Sequence, residues 1–246
     1  MPRVERAHKM VMPADNNCPP INLRRRFIIA LLVGASCSIG YLGINALTST
    51  FVPHDVMSEW DRSIPFVAEW VWVYSLNIPM PLALVFLVRR DEDLLEIIGG
   101  FLTVFLIGAT VFFVYPVSAA ELRAPVDDAT LSRAFVGFYY WMDGHANCLP
   151  SMHVAYSLYA GFWGFARFER PWRAIYLAVG VAISVSTVLV KQHYVIDVLA
   201  GAALGGGIAA LQLSGKGCFS RWLPAGLTAF ISACSSETEQ RSSSSS

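Results

Sequence analysis

An all-α, polytopic membrane bundle of about six transmembrane helices is the fold class this sequence predicts, on three observations. The 246 residues are 55% hydrophobic and only 15% charged, with a mean hydropathy of +0.50, too apolar for an ordinary water-soluble domain. Six apolar runs reach the roughly 17 to 25 residues that a helix needs to cross a bilayer. None of these runs alternates with the period of a membrane barrel strand, and in lipid only helices and closed barrels satisfy their own backbone groups.

Taken in order, residues 1–26 carry Arg3, Arg6 and Lys9 and end on Arg24, Arg25 and Arg26, with no convincing small-residue cleavage site after them. The first apolar run is therefore expected to be retained as a helix. The predicted spans are about 27–48, 65–88, 94–115, 152–168, 172–190 and 193–213, within one membrane domain of 27–213. Residues 214–246 read as a tail, with an apolar piece at 222–233 suited to the interface and a Ser-, Glu- and Gln-rich end expected to be disordered. Gly201, Gly205, Gly206 and Gly207 in the last span predict close approach of a neighbouring helix.

Short loops rich in Lys and Arg stay cytoplasmic. Arg24 to Arg26, Arg89 and Arg90, Arg167, Arg170 and Arg173, and Lys216 and Arg221 all fall on one side of the predicted bundle. Both termini are accordingly expected in the cytoplasm. The opposite loops, about 49–64, 116–151 and 191–192, are poor in basic residues; Trp60, Tyr139, Tyr140 and Trp141 within them, with Trp70, Trp72 and Tyr74 in the first part of the second span, suit an interfacial belt. Equal numbers of acidic and basic residues, 18 each, leave no electrostatic footprint for nucleic acid. Five scattered cysteines suggest neither a disulfide framework nor a zinc site.

Two polar clusters border the apolar runs on the basic-poor side: Asn147 to Ala155, and Lys191 to Gly201. Ionisable groups at the mouths of membrane helices are costly and mark functional sites. His153 and His193 are separated by two crossings, which return the chain to the same face. Asp197 follows His193 at i+4, a spacing that lets a carboxylate hold an imidazole in one tautomer. Ser151 is a candidate N-cap, the amides beyond it a candidate anion site, and Lys191 adds a positive charge. The set suits phosphoryl chemistry, in which positioning and charge stabilisation dominate. A metal reading needs a third ligand, for which Asp143 and His145 in the adjacent loop are the candidates.

At these residues the chain resembles the type-2 phosphatidic acid phosphatase superfamily. The family's Pro-Ser-x-His motif stands as Pro150-Ser151-Met152-His153, and its Ser-Arg-x5-His-x3-Asp motif as Ser186, Thr187, His193 and Asp197, with Thr187 where the family has Arg. The family's Lys-x6-Arg-Pro motif is not matched; Arg123-Ala124-Pro125 is nearest, with Pro116 at the Lys position. Lys191-Gln192-His193-Tyr194, with Asp61, Ile64-Pro65-Phe66 and Tyr74, is similar to the branch containing inositol phosphorylceramide synthases.

The resemblance implies a covalent mechanism without metal or other cofactor, acting on a phospholipid or other lipid phosphate. His193 would attack phosphorus, Asp197 would orient it, and His153 would protonate the leaving oxygen and then activate the acceptor. Lys191, Arg123 and Ser151 would hold the phosphate oxygens, and Asn147, His145 and Asp143 would line an acceptor pocket. Hydrolysis and transfer of a phospho-headgroup, such as inositol phosphate, to a lipid alcohol both remain open. A lipid transporter is the non-enzymatic alternative, although transporters place polar groups near the midplane of repeated halves.

Overall fold

Every one of the six apolar runs is helical in the computed structural model, which describes residues 23–88 and 90–229. The first 22 residues and the Ser-rich end lie outside the described residues. The helices are α1 (Leu23–Thr48), α2 (Glu59–Ser63), α3 (Val71–Tyr74), α4 (Pro79–Leu87), α5 (Asp91–Val114), α6 (Leu131–Asp143), α7 (Met152–Arg167), α8 (Trp172–Leu189) and α9 (Val195–Leu213). Among the described residues there is no strand, only an isolated bridge between His54 and Val117. Five stretches are long and apolar enough to cross a membrane: Leu23–Thr48, Ala68–Leu87, Glu92–Val114, Trp172–Leu189 and Val195–Leu213.

The remaining run, the fourth in chain order, is α7, and it is shorter. Its 16 residues rise about 24 Å, less than the roughly 30 Å of a bilayer core. It is instead the centre of the bundle. Val154, Ala155, Ser157, Leu158, Tyr159, Ala160 and Trp163 are buried, chiefly against α8 and α9. Gly201 and Gly205 make the α7–α9 approach possible, because a Cβ at Gly201 would stand 2.5 Å from the Ser151 carbonyl oxygen and one at Gly205 would overlap that of Ala155. Gly206 faces the Phe162 ring and Gly207 faces open space, so the close contact belongs to one i, i+4 pair and not to the whole glycine run.

The second predicted span is broken. A 3-10 turn at Ala68–Trp70 leads into α3, a second 3-10 turn at Ser75–Asn77 follows, and α4 restarts at Pro79. Pro79 has no amide to continue the helical ladder, although Ile78 before it keeps a helical backbone at φ −91° and ψ −57°. Buried Asn77 compensates, its side-chain amide donating to the Tyr74 carbonyl at 2.6 Å. At the far end of α4, Arg26 from α1 donates to the carbonyls of Val85, Phe86 and Val88, supplying the orphan acceptors of a helix C-terminus.

Helix α6 lies inside a stretch that the sequence predicts as loop. Thr130 caps it by accepting the Arg133 amide at 3.3 Å, and Gly144, at φ 63°, ends it. Its aromatic residues divide between two faces: Trp141 is exposed, while Tyr139 packs edge-on against Tyr74. The tail docks at the opposite end of the bundle, where the Glu96 carboxylate accepts from the Phe219 and Ser220 amides and from the Ser220 hydroxyl.

Candidate active site

Helix ends assemble the site. Ser151 caps α7, its hydroxyl oxygen accepting the Val154 amide at 3.4 Å, and its own amide donates to the Asp197 carbonyl at 3.0 Å. The first turns of α7 and α9 are thereby fixed side by side, and the two polar clusters of the sequence become one. His153 sits in the first turn of α7, His193 two residues before α9, and Asp197 in the first turn of α9.

A continuous chain of hydrogen bonds runs through these side chains. His193 Nδ1 lies 3.3 Å from Asp197 Oδ2, which also accepts the Tyr194 amide at 3.0 Å. His193 Nε2 faces His153 Nδ1 at 3.1 Å. His153 Nε2 lies 3.1 Å from the Tyr74 hydroxyl, and that hydroxyl donates to Asp143 Oδ2 at 2.8 Å. Gln192 Nε2 donates to the same carboxylate oxygen at 2.6 Å, and Gln192 Oε1 accepts from Arg123 at 2.9 Å.

The chemistry of the partners assigns direction along this chain. Arginine has only donors, so Gln192 turns its oxygen to Arg123 and its amide nitrogen to Asp143. Tyr74 gives its one proton to Asp143, and its oxygen accepts the Gln192 amide at 3.3 Å while lying 3.1 and 3.5 Å from the two ring nitrogens of His153. At the other end the Asp197 carboxylate accepts His193 Nδ1–H, the orientation that leaves Nε2 free for nucleophilic attack. Asp197 is fully buried and its Oδ1 has no hydrogen-bond partner.

The 191–194 loop is held from outside by Asp61. Lys191 Nζ donates to the Asp61 carbonyl at 2.6 Å, while Asp61 Oδ1 accepts the Val195 amide at 2.7 Å and so caps α9. Lys191 adopts φ 57°, a conformation that costs a non-glycine residue energy, and the turn is secured by the Gln192 and His193 amides donating to the Thr187 carbonyl at 3.0 and 3.2 Å. Thr187 itself is buried, with its hydroxyl on the Ser184 carbonyl. Burial lowers the Lys191 ammonium from its usual range, with the Asp61 charge opposing that shift.

The remaining predicted site residues separate. Asp143 joins the chain through Tyr74 and Gln192. Arg123 has its guanidinium committed to the carbonyls of Tyr140 and Gly144 as well as to Gln192. Asn147 is buried, with Thr48 of α1 donating to its Oδ1 at 2.6 Å, and His145 is exposed beside Ser118. Among the described residues the grouping with metal-ligand chemistry is Cys148, His193 and Asp197, whose ligand atoms lie within 4.8 Å of one another. Asp143 and His145 are not part of it. Burial, reinforced by the Asp197 charge, raises the Cys148 thiol well above its ordinary range.

An apolar cavity of about 290 Å³ opens beside this chain. His153 and Asp143 line it together with Tyr41 and Val33 of α1, Phe105 of α5 and Tyr156 of α7. From Tyr41 to Val33 the wall follows α1 for about 12 Å.

The sequence profile of the PAP2 superfamily matches residues 51–211, well over half of the chain. The chain belongs to the PAP2 superfamily. Phosphatase- or phosphotransferase-type chemistry follows from that membership in general terms. The chain is also 31% identical over 68 residues to the uncharacterized protein MJ0662 of Methanocaldococcus jannaschii, a match covering 27% of this chain and 28% of that protein. The chain thus spans little more than a quarter of that relative's length.

The two PAP2 motifs of the sequence, one ending in His153 and the other in Asp197, are the segments that α7 and α9 bring together. Tyr74 and Gln192 are the members to which sequence reading assigns no part in the site. Tyr74 reads as part of an interfacial aromatic belt, yet it is fully buried, because the break at Pro79 leaves it at the inward end of α3. Gln192, between Lys191 and His193, is 3% exposed. The available signals are the Asn77-x-Pro79 break and the apolar spacing of Val136, Tyr139 and Tyr140, which marks α6 as a helix ending on Asp143.

Proposed function

We propose that this PAP2 protein is an integral membrane lipid phosphatase that cleaves a lipid phosphate through a phosphohistidine on His193. The observation that carries the reading is the His153–His193–Asp197 chain beside an apolar cavity, which suits a substrate with a charged phosphate head and a hydrocarbon body. When phosphate binds, the His153–His193 hydrogen bond opens. His193 Nε2 attacks phosphorus, Asp197 stabilises the imidazole charge that develops, and His153 protonates the departing oxygen. His153 then accepts a proton from the incoming water.

Ser151, the amides of the first turn of α7 and Lys191 are the phosphate-holding groups of this reading, acting through a helix N-terminus and a point charge. The distribution of Lys and Arg supports a reading with both termini in the cytoplasm and the site on the periplasmic, extracellular or lumenal face. A second reading, transfer of a phospho-headgroup to a lipid alcohol, is favoured by the burial of His193, 5% exposed, which limits the access of bulk water.

The test is to purify wild type and His193→Ala and offer phosphatidic acid, prenyl diphosphates, and phosphatidylinositol with ceramide or diacylglycerol. Release of inorganic phosphate by wild type alone supports the phosphatase, and a new phospholipid supports the transferase. Equal turnover by His193→Ala would sink both.

A further inference from the structure

The proposed mechanism gives Cys148 no part, although its thiol stands beside the nucleophile. The ligand-forming atoms of Cys148, His193 and Asp197 lie within 4.8 Å of one another, and all three residues are buried. Cys148 is a free thiol, and its hydrogen bond to the His145 carbonyl is 3.5 Å long. Asp197 supplies an independent observation, because its Oδ1 is buried with no hydrogen-bond partner. A buried carboxylate oxygen that no donor satisfies is a group that a cation can satisfy instead.

A thiol, an imidazole and a carboxylate are the donor types that zinc takes, three from protein with a fourth position left for water. Bonds of about 2.3 Å to sulfur and about 2.0 Å to nitrogen and oxygen put tetrahedral donors about 3.3 to 3.6 Å apart. His193 Nδ1 and Asp197 Oδ2 already stand 3.3 Å apart. The widest pair, at no more than 4.8 Å, therefore has at most about 1.2 Å to close. Charge balances as well. Coordination deprotonates a thiol outright, so a divalent ion between the Cys148 thiolate and the Asp197 carboxylate sums to zero, the condition under which an ion is buried at least cost.

We propose that Cys148, His193 and Asp197 form a binding site for one zinc ion, and that the bound ion holds the nucleophile inactive. The effect on catalysis rests on the histidine reading above, whereas the ion site stands on its own geometry. In the resting site His193 carries its proton on Nδ1 and its lone pair on Nε2. When zinc takes a lone pair on Nδ1, the ring proton moves to Nε2 and the Cys148 proton leaves to solvent, so one proton is released per ion bound. Nε2 then has no lone pair with which to attack phosphorus, and the Asp197 charge is engaged by the ion. His153 Nδ1, 3.1 Å from His193 Nε2, stands where it can accept the new N–H. None of the three ligands lines the apolar cavity, so the hydrocarbon site is left intact and the loss falls on kcat.

The test uses purified full-length wild type and Cys148→Ala. Each is titrated with cobalt(II), which takes the place of zinc and reports a thiolate ligand by a charge-transfer absorption, and with buffered zinc during turnover of dioctanoyl phosphatidic acid. Wild type should bind one cobalt with the thiolate absorption, release one proton per ion, and lose kcat at saturating zinc with KM nearly unchanged. Cys148→Ala should keep its zinc-free kcat, lack the absorption, and need roughly 10- to 100-fold more zinc for the same inhibition, the scale on which metal sites lose affinity when their surroundings are altered. Thiolate absorption that persists in Cys148→Ala, no absorption in wild type, or equal zinc sensitivity of the two proteins overturns the proposal. If wild type turns over no lipid, the histidine reading fails while the cobalt spectra still decide the ion site; normal turnover without the absorption sinks the ion site alone. Should Cys148→Ala not fold, X-ray absorption at the zinc edge of loaded wild type decides. One sulfur among nitrogen and oxygen ligands supports the site, and a shell with no sulfur or several overturns it.

Discussion

Gly201→Ala is a single methyl group placed away from every reacting atom, and the packing geometry predicts that it disables the proposed site. The new Cβ would stand 2.5 Å from the Ser151 carbonyl oxygen, where van der Waals contact begins near 3.4 Å, so α7 and α9 must part by about 0.9 Å. The obstacle is backbone in the first turn of α7, so no side-chain rotation relieves it. Overpacking of this kind costs about 1 to 3 kcal/mol, which lowers the melting temperature while the protein still folds. The larger effect falls on catalysis. The Ser151 amide to Asp197 carbonyl bond ties together the two helix ends that carry His153 and His193, and a displacement of about 1 Å there costs on the order of 100-fold in kcat. The assay pairs a thermal melt in detergent with kcat on phosphatidic acid. Gly207→Ala, whose Cβ meets nothing within 4 Å, is the matched control. Gly201→Ala retaining kcat within about threefold would refute the claim that the α7–α9 contact sets the alignment of the histidines.

Lys191→Met is expected to raise KM by roughly 10- to 100-fold, the worth of one charged hydrogen bond to phosphate, with a smaller change in kcat. In wild type, burial lowers the Lys191 ammonium from 10.5, so the charge is present below the shifted value and is lost as pH rises through it. The alkaline fall of kcat/KM should therefore begin below the range of a free lysine, and Lys191→Arg should move it upward. Arg123→Met should lower kcat about tenfold with KM nearly unchanged if Arg123 orients Gln192 at the histidine pair, and steady-state kinetics showing a rise in KM alone would instead make it a phosphate ligand. Dialysis against a chelator should leave kcat/KM on phosphatidic acid unchanged, and a loss restored by added divalent cation would overturn the metal-free mechanism.

The long elements were legible because their signal is length and apolarity. Spans 27–48, 94–115, 172–190 and 193–213 lie within a few residues of α1, α5, α8 and α9, since nothing inside those runs competes with helix. The second span carries its contradiction in its own sequence: Pro79 and Pro81 sit in an apolar run of spanning length, and hydropathy does not register a missing amide. Helix α6 escapes for the opposite reason. It is amphipathic and too short to span, so a search tuned to bilayer crossings passes over it. The approach of His153 to His193 could be worked out by counting crossings, and Asp197 by helical spacing. Tyr74 and Gln192 could not be placed that way, because their positions depend on the Pro79 break and on the left-handed turn at Lys191, features of tertiary context with weak local signals.

The oxygen of Asp197 that lacks a partner bears on how such a site would work. A buried carboxylate is stabilised by the donors it accepts, and Asp197 has two, His193 Nδ1 and the Tyr194 amide, both on Oδ2. Its Oδ1 has none, although the carboxylate is fully buried. A third donor would satisfy the charge before the reaction and so weaken its pull on the His193 ring. Left undersatisfied, the carboxylate gains most when positive charge grows on that ring, which is what bond formation between Nε2 and phosphorus produces. The interaction is then stronger in the transition state than in the ground state, the condition under which a fixed charge raises kcat and not merely affinity. The cost is borne in the resting protein by the packing of α7 against α9, which Gly201 and Gly205 make possible. Alignment and electrostatics in this site therefore depend on the same pair of glycines, and loosening that contact would harm both together.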